Sequence, residues 1–256
     1  MIKQFLRTFL LLTFIFLVGC SKDDDPQNTP NPIPSNRLST GDSAADFLSD
    51  ELFSSLVIEV VYVEGYQPSQ QSLDNLVSFI NTRCHKSGGV ELNMRSIAEP
   101  GDGDYDIQEI DDIEQDIRSQ FNTENRLALF AMFINGKWHE DTDNSVVLGV
   151  AYRNTSFVIF EETLQRFSDQ ATEPDRVVME TTVFNHEFGH LLGLVDLGTD
   201  MQSDHLDTEN GHHCDVEDCL MNYRVEAGIS IGNISGGDVP QLDSQCIADL
   251  QANGGK

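Results

Sequence analysis

The segment from Pro174 to Leu192, PDRVVMETTVFNHEFGHLL, constrains this chain more than any other. Thr172 with Asp175 three residues on gives it a capping-box-like start, and Gly193 supplies a stop, so the spacing predicts a helix of about five turns. Val177, Phe184, Phe188 and Leu191 fall on one side of that helix. Met179 and Val183 fall on the other, beside His186 and His190. A helix apolar on both flanks has to run through the middle of a fold. The two histidines, one turn apart, then face a lined cleft.

A buried rod needs apolar layers around it, and the sequence provides them. Ser55 to Val63 is dense and β-branched, Val90 to Ala98 alternates, and Arg126 to Ile134, Val146 to Tyr152 and Ser156 to Phe160 read as strands. Ser72 to Cys84 has helical spacing. So does Asp106 to Phe121, with Ile107, Ile110, Ile113, Ile117 and Phe121 at steps of three and four on an acidic background. Asn135-Gly136 marks a turn. The expected fold is α/β in the broad sense that includes α+β: a mixed, twisted sheet covered by helices, with a small irregular C-terminal subdomain. A chain of 256 residues that is 39% hydrophobic can bury its own core and is not wholly disordered. With 43 acidic residues against 15 basic ones, its formal charge of −28 repels a phosphate backbone and excludes nucleic acid as a partner.

The N-terminus, MIKQFLRTFLLLTFIFLVGC, places Lys3 and Arg7 before an apolar run from Phe9 to Val18, the order of an export signal. Leu17-Val18-Gly19-Cys20 resembles the bacterial lipoprotein signal, which implies cleavage after residue 19 and acylation, palmitate included, at Cys20. A retained signal anchor is the alternative. Residues 20–45 hold Pro26, Pro30, Pro32 and Pro34 and almost nothing apolar, so an extended acidic tether is expected there. The folded domain is expected over 46–256, divided into an N-terminal subdomain, 46–193, and a C-terminal one, 194–256. The likeness implies an outer-membrane lipoprotein facing the periplasm or the cell surface, held to the membrane through Cys20. In such an oxidising compartment the other four cysteines form an even set. Local spacing favours a Cys214–Cys219 disulfide, and arithmetic alone leaves Cys84 with Cys246.

Asp102, Asp104 and Asp106 alternate as calcium-binding carboxylates do, but Ile107 stands where an EF-type loop needs glycine. An acidic cap on the following helix is the better reading.

His186-Glu187-Phe188-Gly189-His190 is HExxH. Two imidazoles one turn apart can ligate one zinc ion, and Glu187 is carried to where it can touch a metal-bound water. A purely structural zinc site gives no reason for Glu187. HEFGHLLG followed by a distant Met221 resembles the metzincin clan of zinc endopeptidases, closely over residues 174 to 223. Cys214-x4-Cys219-x-Met221 is similar to its archaemetzincin branch. The resemblance implies a zincin fold, one catalytic zinc, a third ligand after Gly193 and a methionine turn at Met221 beneath the metal.

The chain departs from that branch in having Asp196 where the third histidine would stand, followed by a long acidic insertion. Three residues compete for the role. His213 precedes Met221 by the eight residues of the archaemetzincin pattern, Asp196 keeps the spacing from Gly193 as in the snapalysin variant, and His205 depends on a mobile loop to deliver it. The branch's second metal site needs a further Cys-x-x-Cys pair, and none follows Met221, which favours the disulfide. Met221-x-Tyr223 resembles astacins and serralysins, whose tyrosine reaches the zinc or the oxyanion.

The implied activity is hydrolysis of peptide bonds by a metal-activated water, with Glu187 as general base and Tyr223 assisting. An extended peptide or protein substrate would pair along an edge strand at Val146 to Tyr152. A monomer is expected. A gluzincin, whose third ligand is a later glutamate, is opposed by Gly193 and the methionine turn. The rival from another class is a lipid-tethered binding or adhesion module whose zinc is structural.

Overall fold

The computed structural model describes residues 35–142, 146–169, 174–228 and 237–256. The signal segment, Cys20 and the tether as far as residue 34 lie outside these residues, as does Thr172.

In chain order the described elements are α1 (Ala44–Leu48), β1 (Ser55–Val63), α2 (Gln70–Arg83), β2 (Val90–Ile97), β3 (Asp104–Tyr105), α3 (Ile107–Ile117), β4 (Arg126–Ile134), β5 (Lys137–Trp138), β6 (Gly149–Arg153), β7 (Ser156–Phe160), α4 (Glu161–Ser168), α5 (Arg176–Leu191), α6 (Tyr223–Glu226) and α7 (Ser244–Ala252). Five strands form one mixed sheet in the order β2-β1-β4-β7-β6. The first four run parallel, and β6 pairs antiparallel with β7 at the edge. β1 and β4 occupy the centre, and their uninterrupted apolar runs suit strands covered on both faces.

Alternation along these strands divides the core in two. Leu56, Ile58, Val60, Leu129, Ala131 and Phe133 pack with Leu73, Leu76 and Ile80 of α2 and with Phe184 and Phe188 of α5. Val61, Val63, Phe130, Met132 and Val158 pack with Ile110, Ile113 and Ile117 of α3 on the opposite face. The result is helix, sheet, helix, as the strand and helix pattern predicts.

Asp106 caps α3 in a full capping box with Glu109, so this carboxylate does the work of a helix cap. The helix ends at Ile117, short of the expected Phe121, which is 51% exposed. Arg118 causes the break. Its backbone turns extended, and its guanidinium is buried against Glu114 at 2.6 Å and the Ala128 carbonyl at 2.8 Å.

The chain is docked earlier than residue 46. Asn36 is buried and donates to Asn122 Oδ1 at 2.9 Å and to the Ala128 carbonyl at 3.2 Å, while Asn154 Oδ1 accepts the Leu38 N–H at 2.9 Å. These amides read as polar linker in sequence and act as clamps in the fold. At the other end, Leu194, Val195, Leu220, Met221 and Leu250 join the core that contains α5, so the segment after residue 193 is built onto the same interior.

α5 begins one turn later than Thr172 would place it, with Asp175 as N-cap accepting the Val178 N–H at 3.1 Å. Every residue from Met179 to Leu191 is buried, as the two-sided apolar pattern requires.

Candidate metal centre and active site

α5 carries His186, Glu187 and His190 into the interior at 0%, 0% and 6% exposure. The Leu220 carbonyl accepts a hydrogen bond from His186 Nδ1 at 2.7 Å, which leaves Nε2 as the lone-pair nitrogen. His190 Nε2 lies 3.1 Å from His186 Nε2. His190 Nδ1 is buried without a partner among the described residues.

The third imidazole is His213. It arrives from the loop before the Met221 turn, its ring centroid 5.3 Å from that of His186 and 5.2 Å from that of His190. The carbonyls of Asn210 and Gly211 take the His213 Nδ1 proton at 3.0 and 2.8 Å, so its Nε2 is the nitrogen left to face the cleft. Glu226 at the end of α6 adds a carboxylate, with Oε2 2.9 Å from His213 Nε2. The four candidate donor atoms all lie within 4.8 Å of one another. Imidazole nitrogens and a carboxylate oxygen suit a divalent metal such as zinc, and lone pairs aimed at one point call for a cation there.

The electrostatics agree with that donor set. Burial, with the neighbouring His213, pushes His186 down to about 4, and burial with His186 and His213 holds His190 well below the ordinary histidine range. Burial also opposes the charged form of His213, yet its bond to Glu226 outweighs this and raises the pKa. Neither Glu187 oxygen has a well-formed hydrogen bond. Burial and then the charge of Glu226 push its carboxyl well above the usual range, against a weak pull from the Ala151 N–H.

Glu187, His190, His213 and Glu226 line one cleft of about 410 Å³ whose wall includes Val150 and Ala151 of β6. β6 is an edge strand, as expected for this stretch, although its regular part starts at Gly149. Gly149 crosses close over the acid: a Cβ there would sit 2.8 Å from Glu187 Oε1 and 2.9 Å from Val183 Cγ1. Met221 is fully buried against Gly189, where a Cβ would come 2.3 Å from the Met221 sulfur. Tyr223 is half-buried in a hollow that it shares with Val146, His213 and Glu226.

The other two candidates for the third ligand lie elsewhere. Val195 and Asp196 adopt φ of 54° and 66°, a left-handed turn that leaves the Asp196 side chain exposed to solvent. His205 is fully buried with Nε2 2.7 Å from Asp249 Oδ2 of α7. Its Nδ1 faces Cys214 Sγ at 3.4 Å and Cys246 Sγ at 3.9 Å.

That second cluster corrects both disulfide expectations. Cys214, Cys219, Cys246 and Cys84 are all free and buried. Cys219 Sγ lies 3.7 Å from Cys246 Sγ, well beyond a covalent bond of about 2.05 Å, so Cys214, Cys219 and Cys246 converge with His205 in place of any bridge. Asp243 adds a nearby carboxylate. Hydrogen bonds from the Cys214 and Cys246 thiols lower the Cys219 pKa to about 4, and the backbone N–H groups of Met221 and Asp243 point at the same sulfur. Three thiols and an imidazole held by a carboxylate form a donor set suited to a structural metal. Cys84 sits apart at the end of α2, its thiol pushed up to about 12 by burial.

Sequence reasoning missed Glu226, Gly149 and the role of Cys246. The only local hint for Glu226 is its place five residues after Met221.

No family model matches the chain, and no curated protein matches it. Among solved structures, archaemetzincin from Methanopyrus kandleri is 16% identical, with a TM-score of 0.49 over 78% of this chain and 96% of that one. Metalloproteinase-II from Bacteroides fragilis is 13% identical, with a TM-score of 0.43 over 87% of this chain and 58% of that one. Likeness at that level leaves the functional reading to the side chains themselves.

Proposed function

We propose that this chain is a zinc-dependent endopeptidase of metzincin type. The observation that carries the reading is the convergence of His186, His190 and His213 beside Glu187, a buried acid without a firm partner, in a cleft walled by an edge strand. In the reading, His186, His190 and His213 hold zinc through Nε2. Zinc, when bound, supplies Lewis acidity and a water acidic enough to react near neutral pH. Glu187 would accept the proton of the attacking water on a carboxylate oxygen and pass it to the nitrogen of the departing amine. Burial suits it to hold a proton in transit. β6 offers backbone N–H and C=O groups to an extended peptide and so orients the scissile bond. Tyr223, which lines a hollow with His213 and Glu226, is assigned to assist at the substrate carbonyl oxygen.

Cys214, Cys219, Cys246 and His205 are proposed to hold a second, structural zinc. Cys214 directly follows His213, and the Cys219 sulfur accepts the Met221 N–H at 3.4 Å, so this knot would set both the third ligand and the methionine turn. Attachment to the outer membrane through an acylated Cys20, a monomeric state and peptide or protein substrates belong to the same proposal. Among the described residues, no helix is long and apolar enough to cross a membrane.

Digestion of casein and of a peptide library by the wild type and by E187Q tests the activity. E187Q should keep its zinc and lose cleavage. Equal turnover by the two proteins, or no cleavage by zinc-loaded wild type, would leave the alternative of a tethered binding module with structural zinc.

A further inference from the structure

We infer that Glu226 is a fourth protein donor to the metal and closes the site at rest, so that it has to withdraw before substrate and water can share the ion. The inference rests on the zinc-peptidase reading of the same centre.

It starts from proton accounting. The Nδ1 protons of His186 and His213 are committed to the carbonyls of Leu220, Asn210 and Gly211. His213 therefore turns Nε2 toward Glu226 Oε2 at 2.9 Å. That contact sets the carboxylate beside the same ring nitrogen that would face a metal, where one ion can be reached by both. His186 and His190 bring further donor atoms to the same point, and with Glu226 the set numbers four, the usual complement of a closed tetrahedral zinc site. A catalytic site keeps a position open. A fourth protein ligand here would fill it.

Glu226 is placed to do this reversibly. Its backbone is fixed, because its carbonyl accepts the Leu148 N–H at 2.9 Å and so ties α6 to the residues leading into β6. Its side chain is 29% exposed in the cleft, whereas that of His213 is 11% exposed. The carboxylate thus has solvent to swing into, from an anchor on the strand that would bind substrate. A peptide pairing with β6 would press on the same wall and could displace it.

The test compares wild type, E226Q and E226A with H186A, using zinc and cobalt(II). Zinc affinity is measured by chelator competition, cobalt coordination by visible absorption, and folding of the metal-free proteins by circular dichroism. Wild type and both Glu226 variants should fold alike. Both variants should bind zinc at least about tenfold more weakly than wild type. Their cobalt spectra should change in intensity and position as solvent replaces the carboxylate. Unchanged affinity and an unchanged cobalt spectrum in both variants would overturn the inference and leave the peptidase reading standing. Wild type that binds no more metal than H186A would overturn both. If E226A is misfolded, the isosteric E226Q carries the decision by the same readouts.

Discussion

Gly149 lies over Glu187 so closely that the smallest side chain would strike it: a Cβ at Gly149 would stand 2.8 Å from Glu187 Oε1 and 2.9 Å from Glu187 Cγ. Glycine is needed here for clearance rather than for a left-handed backbone. In the proposed mechanism the acid must keep one position relative to the metal, and a displacement of about 1 Å in a reacting group can cost on the order of 10²-fold in rate. G149A is expected to reduce peptide cleavage by about that factor while zinc content stays at the wild-type level, because the atoms nearest the new methyl group belong to Glu187 and Val183 rather than to an imidazole. Kinetics alongside metal analysis checks it. Full activity would mean that Glu187 has more freedom than its surroundings suggest.

His213, and neither Asp196 nor His205, is expected to control occupancy of the catalytic metal. Its Nε2 converges with those of His186 and His190, whereas Asp196 faces solvent. H213A should lose the catalytic zinc and all cleavage, while D196A should change neither by more than a factor of about two, as expected for an exposed substitution. Metal analysis with a metal-edge absorption spectrum on both variants distinguishes them. Loss of zinc in D196A would reverse the assignment.

The cysteine cluster predicts a second metal equivalent. Wild type purified under reducing conditions should carry about two zinc ions per chain, and C246S about one. Because Cys214 adjoins His213, C246S should also weaken the remaining site, even though Cys246 lies on α7 and contributes nothing to it directly. A Cys219–Cys246 or Cys214–Cys219 disulfide in the native protein, found by mass spectrometry without reduction, would count against the second ion.

Acid should destabilise the metal-free protein over a definite range. His186 is neutral in the fold, with its pKa depressed from 6.5 to about 4 by burial and by His213. The unfolded chain therefore binds more protons than the native one between those values, and stability rises with pH across the interval. The contribution is fully present above about 6.5 and is lost as pH falls toward about 4, on the order of 3 kcal/mol from this one residue. Thermal unfolding of the chelated protein from pH 7.5 down to 4 measures it. The decline should be shallower in H186N, whose amide does not titrate.

The two halves of the centre were not equally legible in the sequence. His186, Glu187 and His190 occupy a single turn of one helix, so their spacing alone brings them together. The strands β4 and β7 match their apolar runs residue for residue because burial on both faces leaves little ambiguity. His213 could be named only as one of three, since ligand chemistry and spacing pulled different ways until the left-handed turn at Val195 and Asp196 sent the aspartate outward. The knot of His205, Cys214, Cys219 and Cys246 was hidden for another reason. Its members lie up to 41 positions apart, and Cys246 comes from a helix with no local metal-binding spacing. Local spacing and an even count point to disulfides, while the fold gives convergence on a histidine. Asn36 and Asn154 likewise show their role as clamps only through partners far away in the chain.

Met221 and Gly189 should behave as a coupled pair. On propensity alone, alanine in place of a helical glycine gains up to about 1 kcal/mol. Here the added Cβ would meet the Met221 sulfur at 2.3 Å, so G189A should instead destabilise by about 1–3 kcal/mol through overpacking. M221A removes the thioether and leaves a cavity beside Gly189, at a cost of about 2–5 kcal/mol. In the double variant the new methyl group enters the space that the sulfur has vacated, so the combined loss should be smaller than the sum by at least about 0.5 kcal/mol. Denaturant unfolding of the zinc-loaded proteins gives all four corners of the cycle. Additive losses would mean that the sulfur can move aside at no cost, and Met221 would then be filling space beside α5 without fixing the position of Gly189.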